Sequence, residues 1–388
     1  MENNIVILKM KLILPQHYVF FFFFLYSFSF GAIFPRIGDM QMQMGIGEGA
    51  LGLALAGLPL GVQISLFFAD KILKVLGFKL AMCIGVPMLG GSLILASFSL
   101  EPLRFFLALL VGGMAVGIVE VAVNLEADRV EYQIGKKIMN RSHSFWSLGF
   151  FTAGVFGALF SQNSIDPTFH FIGSFFIGSL LVLYFSLNYK TAGSRPNSND
   201  KNSIFVIPNK GVLALVVFTL SAMLIEGAGI DWSVIFMRDI FGTPAFLNGT
   251  ALFLGALAQF AVRYFADSIV ERYGSETVAR TSILVMFVGL GMICLTNKPY
   301  IALLGFALMG GGTAVIFPLA VSAAAQKSDR SAATNVASLA QLSFVVFLLA
   351  PPLLGFIAEN YGIRTSFAIC LPLLLLSWIF VFSLKKKV

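Results

Sequence analysis

Long apolar runs recur along the whole chain, separated by short polar stretches. A helix of about 20 such residues crosses the ~30 Å hydrocarbon core of a bilayer. Only helices and closed barrels satisfy their own backbone polar groups inside lipid. Hydrophobic residues form 58% of the chain and charged residues only 12%, whereas a soluble domain is about one-quarter charged. The sequence therefore predicts an all-α polytopic membrane protein.

Twelve membrane spans fit the pattern of apolar runs. Their predicted ranges are 16–37, 46–69, 79–97, 104–124, 140–160, 168–189, 211–236, 247–266, 277–296, 300–325, 332–358 and 365–384. Lys9 and Lys11 precede the first run as they do in a signal peptide, but no small-residue cleavage site follows. We interpret this run as an uncleaved first span, with a flexible extension before Gln16.

The positive charges of the chain are placed unevenly between the predicted spans. If the N-terminus is cytoplasmic, 21 of the 26 Lys and Arg residues fall in cytoplasmic segments. This bias predicts that both termini are cytoplasmic. We expect a multi-pass protein of the bacterial inner membrane. The net charge of +7 is then a signal of topology, and no nucleic-acid partner is expected.

A charged turn occurs twice in the sequence. Phe68–Gly77 reads FADKILKVLG, and Phe265–Gly274 reads FADSIVERYG, an offset of 197 residues. At about the same offset, Gly112–Gly113 of the fourth span corresponds to Gly310–Gly311 of the tenth. Parallel repeats of six helices around an axis normal to the membrane are a known transporter architecture. The repeat therefore predicts two related halves.

A polar stretch lies between the sixth and seventh predicted spans. Residues 191–210 are rich in Ser, Asn, Pro and charge, as expected of a linker between domains. We therefore predict an N-terminal six-helix bundle over 1–190, a cytoplasmic linker over 191–210 and a C-terminal six-helix bundle over 211–388.

The repeated aspartates suggest a contact between the halves. Asp70 follows the C-terminal end of the second span, where the helix dipole disfavours an anion. In a pseudo-twofold assembly Asp70 would face the start of the eleventh span, and Asp267 the start of the fifth, at 140–142. We expect a conformational latch formed by Asp70 with its neighbour Lys71, and by Asp267. Alternatively, these are loop aspartates held in water by neighbouring bases.

These turns resemble the loop motif of the major facilitator superfamily, Gly-x-x-x-Asp-Arg/Lys-x-Gly-Arg. Asp70 and Lys71 match, but Leu66 replaces the leading Gly and the second Gly is displaced to Gly77; in the second copy only Asp267 matches well.

Three longer stretches point to one branch of that superfamily: FPRIGDMQMQMGIGEGALGLAL (34–55), VEVAVNLEADRVEYQIGKKIMNRSHSFWSLG (119–149) and EGAGIDWSVIFMRDIFG (226–242). Together they resemble the YbjJ-like transporters, relatives of the fucose permease type. The resemblance implies twelve transmembrane helices in two pseudo-twofold-related bundles, and transport by alternating access.

Three polar residues in the fourth and fifth spans are candidates for proton binding. A charge at bilayer depth is costly, so such residues face a cavity or a partner. Glu120 and Asn124 are four apart and share one helix face. His143 starts the fifth span, where an imidazole is placed to exchange protons with Glu120. The alternative is that Glu120 pairs with a neighbouring helix for packing and that His143 bonds backbone or water.

The seventh span carries a second polar group. Its EGAGIDW stretch suggests a bent or partly unwound helix that exposes Glu226, Asp231 and Trp232 to a ligand. A purely structural kink is the alternative. Three glutamines are candidates either for hydrogen bonds to a solute or for contacts between helices: Gln63, Gln259 and Gln341, of which we select Gln341.

The motif pattern favours a secondary transporter. No phosphate-binding loop is present, and the three cysteines have neither disulfide nor zinc spacing, so we expect no ATP, metal or cofactor. The superfamily arginine linked to proton transfer is Leu109 here, and the fifth span lacks the Gly-Pro motif of drug/proton antiporters. We predict a monomeric, non-enzymatic carrier of a small polar solute, driven by protons. The alternatives are a drug or metabolite efflux transporter and a non-transporting solute receptor.

Overall fold

The computed structural model describes residues 14–193, 208–327, 330 and 332–385. These residues are helical with short connections, and no strand occurs among them. The predicted flexible extension and most of the predicted linker lie outside the described residues. Twelve helical segments are long and apolar enough to cross a membrane, which confirms the predicted number.

We call these segments spans 1 to 12. Their bounds, in order, are Pro15–Met44, Glu48–Leu66, Lys71–Ser97, Pro102–Ile134, Met139–Gln162, Pro167–Asn188, Lys210–Phe241, Ala245–Tyr273, Ser275–Leu295, Pro299–Ala325, Thr334–Tyr361 and Ile363–Leu384. Spans 1–6 form the N half and spans 7–12 the C half. The terminal face is the one where span 1 begins and span 12 ends, and the distal face is the opposite one.

Several spans are built from shorter helices. Span 1 consists of Pro15–Gly31, a 3-10 turn at Phe34–Arg36, and Ile37–Met44; span 2 of Glu48–Leu55 and Gly57–Leu66; span 10 of Pro299–Thr313 and Ile316–Ala325; and span 12 of Ile363–Ala368, Cys370–Phe380 and a 3-10 turn at Val381–Leu384. The helical stretch Ala69–Ser97 is interrupted at Gly77, whose backbone is not helical, so the part that follows Gly77 agrees with the predicted start of the third span at residue 79.

The sequence repeat is also a repeat of backbone geometry. Gly77 has φ 67° and ψ 172°, and Gly274, 197 residues later, has φ 79° and ψ 152°. Gly45 and Gly242, at the same offset, end spans 1 and 7 with φ 66° and 59°. Side chains disfavour such positive φ values, and glycine adopts them at little cost. The two halves therefore turn the chain in the same way at matching places.

Glycines also bring helices into close contact within each half. A Cβ on Gly113 of span 4 would lie 1.9 Å from the Leu58 carbonyl oxygen of span 2. A Cβ on Gly310 of span 10 would lie 2.3 Å from the Gly255 carbonyl oxygen of span 8. Only glycine permits this approach at either place.

The halves meet along two antiparallel helix pairs. Span 5 packs on span 8, where Gly154 faces Phe253 and Gly249 faces Ala158. Span 2 packs on span 11 mainly through its distal segment, Glu48–Leu55, whereas its second segment packs mainly on span 4. The distal ends of both pairs are thus closed together, and the polar residues of the interior lie between them and the terminal face.

Candidate functional site

A hydrogen-bonded cluster in the N half contains three of the predicted residues. The Asn124 amide nitrogen donates to Glu120 Oε1 at 2.8 Å. The Asn124 amide oxygen lies 3.1 Å from His143 Nε2. Because that oxygen is an acceptor only, the network assigns the proton to His143 Nε2. The structure therefore brings Glu120, Asn124 and His143 together, as their spacing predicted.

A second cluster, in the C half, is centred on Arg263 of span 8. Its Nη2 lies 3.6 Å from Glu226 Oε1, and the two side chains are only 14% and 16% exposed. Gln259 Nε2 donates to the same Glu226 oxygen at 2.8 Å. Arg263 Nε donates to the Ala314 carbonyl oxygen at 3.1 Å, beside the break in span 10. The guanidinium therefore neutralises Glu226 and ties span 8 to spans 7 and 10.

Ser147 of span 5 joins the two clusters. Its fully buried hydroxyl accepts from Arg263 Nη1 at 3.2 Å and donates to Gln259 Oε1 at 3.2 Å. His143 lies one turn before Ser147 on the same helix, so its cluster is one helical turn from Arg263. Two carboxylates from opposite halves, Glu120 and Glu226, thus share one polar region with a single guanidinium.

Sequence reasoning missed Arg263, which we had counted among the charges of the cytoplasmic loops. The structure places it inside span 8 with its side chain only 14% exposed, so it is an interior residue and not a loop charge. A signal was available in the sequence, since Gln259, Arg263 and Asp267 are spaced four apart and form one polar stripe on the helix.

A cavity of ≈ 40 Å³ lies beside this network. It is lined by span 5, by the middle of span 7, and by spans 8 and 10, with Glu226, Gln259 and Thr313 as its polar groups. Trp146 and Phe150 stack at 5.5 Å with an angle of 18° between their rings, and both line the cavity. The cavity has room for a few water molecules in this state, and it combines an aromatic wall with hydrogen-bonding groups.

Span 7 differs from its sequence-based interpretation. Lys210–Phe241 is one continuous helix, so of the predicted bent or partly unwound helix the unwinding was wrong. Trp232 is 0% exposed and its ring lies against Gly355 of span 11, so the predicted exposed indole was also wrong. The glycine supplies the space that the ring needs, because a Cβ there would lie 3.0 Å from the indole.

The other two predicted ligand residues do not line the cavity. Asp231 is half-buried and has no hydrogen bond or ion pair with another described residue. Gln341 is half-buried in span 11 and is not among the residues that line the cavity.

The predicted contact of Asp267 is present at the terminal face. The Asn140 amide donates to the Asp267 carboxylate, joining the start of span 5 to the end of span 8. Next to it, the Arg141 guanidinium lies over the Tyr264 ring at 5.6 Å. The corresponding contact of Asp70 falls on a side chain outside the described part of the structure, so it stays a prediction.

The fold and the repeat define a class of proteins, and comparison with known proteins identifies it. The model of the Major Facilitator Superfamily matches residues 19–344 and 212–388. The chain belongs to this superfamily and is a multi-pass membrane transporter.

Relatives and solved structures agree with this assignment. The chain is 30% identical to the uncharacterised transporter y4wD of Sinorhizobium fredii, over 86% of this chain and 88% of the relative. A mutant form of the nucleoside transporter NupG has a TM-score of 0.75 at 14% identity, covering 96% of this chain and 100% of that one. A D-xylose-proton symporter has a TM-score of 0.74 at 13% identity, covering 96% and 97%. At such identities the likeness concerns the fold.

Proposed function

We propose that this transporter couples the movement of a small polar solute to protons by alternating access. The observation behind the proposal is the pair of interior carboxylates, Glu120 and Glu226, placed in opposite halves around the single guanidinium of Arg263. Interior ionisable residues of transporters typically mark ion or substrate pathways. The printed name of the xylose-proton symporter, which shares the fold, is consistent with this.

In this proposal Glu120 is the group that carries the coupling proton. It hydrogen-bonds Asn124, whose amide also meets His143, so a proton has a short polar path to the start of span 5. The solute binds at the neighbouring cavity in a state in which the halves have moved apart and the cavity is wider; there Trp146 and Phe150 offer an aromatic surface and Gln259 and Thr313 offer hydrogen bonds. Arg263, in the C half, donates a hydrogen bond to Ser147 in the N half. Through this bond a change in the protonation or position of Glu226 affects the N half.

The moving units are the two predicted bundles, 1–190 and 211–388, joined by the linker 191–210. The terminal face is cytoplasmic, because Lys and Arg are concentrated in its segments. The bond between Asn140 and Asp267 is then a cytoplasmic latch that forms in one state and opens in the other.

Disulfide cross-linking tests the latch. In a chain without Cys83, Cys294 and Cys370, the pair Asn140→Cys and Asp267→Cys should cross-link readily, because these side chains are in contact here. The cross-linked protein should stop transporting and recover when reduced. Transport at full rate with the disulfide intact would show that this contact does not have to open.

Reconstituted protein tests the function itself. Thermal-shift screening over sugars, amino acids and nucleosides selects a stabilising solute, which is then used as labelled cargo in proteoliposomes. A carrier accelerates counterflow, and a proton-coupled one also accumulates solute when a pH gradient is imposed. Binding without counterflow would instead support a receptor, and counterflow without accumulation a uniporter. Export of apolar compounds in place of a polar solute would support the efflux alternative.

A further inference from the structure

The distal face contains a contact between the halves that involves an exposed acid of span 11. Glu359 Oε2 accepts a hydrogen bond from the Gly49 backbone nitrogen at 2.9 Å. Gly49 lies in the first turn of the helix Glu48–Leu55, which begins span 2. The carboxylate thus lies at the positive end of a helix that belongs to the opposite half.

Two glycines provide the space for this carboxylate. A Cβ on Gly49 would lie 2.1 Å from Glu359 Oε2, and a Cβ on Gly47 would lie 2.9 Å from Oε1. Gly47 is also the N-cap residue, and it has no side chain with which to cap the helix. Helix N-termini leave backbone N–H groups without partners, which side chains from nearby usually satisfy. Here the cap comes from residue 359, 310 positions along the chain.

Below this contact the two helices touch backbone to backbone. A Cβ on Gly52 would lie 2.3 Å from the Pro351 carbonyl oxygen, and one on Gly355 would lie 2.4 Å from the Glu48 carbonyl oxygen. This packing brings the Glu359 carboxylate to the helix end. Separation of spans 2 and 11 at the distal face therefore has to remove Glu359 from Gly49.

We infer that Glu359 is a lock that holds the distal face closed by capping span 2 from the other half. When the distal face opens, the N-terminus of span 2 loses its cap and the carboxylate returns to water. The lock acts together with other distal contacts, among them the hydrogen bond from Arg238 Nη2 to Gln41 Oε1 at 2.8 Å. Its removal should thus shift the balance between states without abolishing the closed one.

Distances between spin labels at Leu100 and Lys298 measure this balance. Both are exposed, and they lie in distal connections of the N half and the C half. With the native cysteines replaced, Glu359→Ala should raise the ratio of distal-open to distal-closed protein about fivefold, the usual effect of losing a helix cap. Asn360→Ala is the matched control, because Asn360 is also exposed but donates only to Phe356 of its own helix.

A second pair of variants separates the lock from general damage to span 2. Gly49→Ala should open the distal face about as much as Glu359→Ala does, because its Cβ displaces the end of the Glu359 side chain from the helix N-terminus. In the Glu359→Ala background it should add almost nothing, since the next nearest atom is Phe356 Cα at 4.0 Å. The measurement needs no solute or pH gradient, so it is independent of the proposed proton coupling. An unchanged distance distribution in Glu359→Ala, or an equal effect of Gly49→Ala in both backgrounds, would overturn the inference.

Discussion

The Glu120→Gln variant should exchange solute across the membrane almost as fast as the unchanged protein, and it should not accumulate solute against a gradient. The substitution keeps the shape of the side chain and its hydrogen bond with Asn124, but removes the group that binds a proton. Exchange involves no net proton movement, whereas accumulation depends on it. Counterflow measures exchange and pH-driven uptake measures accumulation, and both are measured on the same proteoliposomes.

Glu126→Gln is the matched control for this variant. Glu126 is also a buried acid of span 4, but it accepts from the Tyr189 hydroxyl at 2.8 Å and the Ala192 backbone nitrogen at 2.7 Å, and so fixes the end of span 6. Its loss should lower stability and leave the ratio of accumulation to exchange unchanged. If Glu120→Gln behaves in this way, Glu120 is structural. If it accumulates fully, the coupling group is another interior acid, Glu226 or Asp231.

The elements predicted best from the sequence depend on local spacing. The twelve spans follow from hydropathy, which is a property of each segment alone. Glu120 and Asn124 are brought together by a spacing of four residues on one helix. Asp267 and Asn140 are in contact although they lie far apart in the sequence. This contact was predictable because the repeat fixes the symmetry that relates the halves.

The features that were missed or mistaken depend on packing between spans. Arg263 meets Ser147 and Glu226 only after span 8 has packed between spans 5 and 7. Trp232 was expected to be exposed because two glycines precede it in the sequence. Its ring is instead buried against Gly355, a glycine of another helix. The contact of Glu359 with span 2 joins residues with no local pattern in common. Hydropathy and helical periodicity are insensitive to such contacts.

Arg263→Gln should be the most damaging single substitution in the interior. It leaves Glu226 as a buried carboxylate without its cation, and breaking such a pair costs about 3–5 kcal/mol. It also removes the bonds to Ser147 and to the Ala314 carbonyl oxygen. We expect a clearly lower melting temperature, together with loss of both exchange and accumulation. Arg272→Gln is the matched control, since Arg272 lies at the exposed end of the same helix over Tyr273 and should tolerate the change.

A paired substitution separates the contribution of the Arg263 charge to stability from the role of Arg263 in transport. Arg263→Gln with Glu226→Gln removes both charges, so the protein should recover most of its thermal stability. Transport should stay defective, because the neutral pair no longer links the state of Glu226 to Ser147 in the other half. Arg263→Lys keeps the charge but loses the fork that bonds Ser147 and Ala314 at once, so it should fold well and transport poorly. Full transport by the neutral pair would mean that Arg263 only compensates Glu226, and that the halves communicate through other contacts.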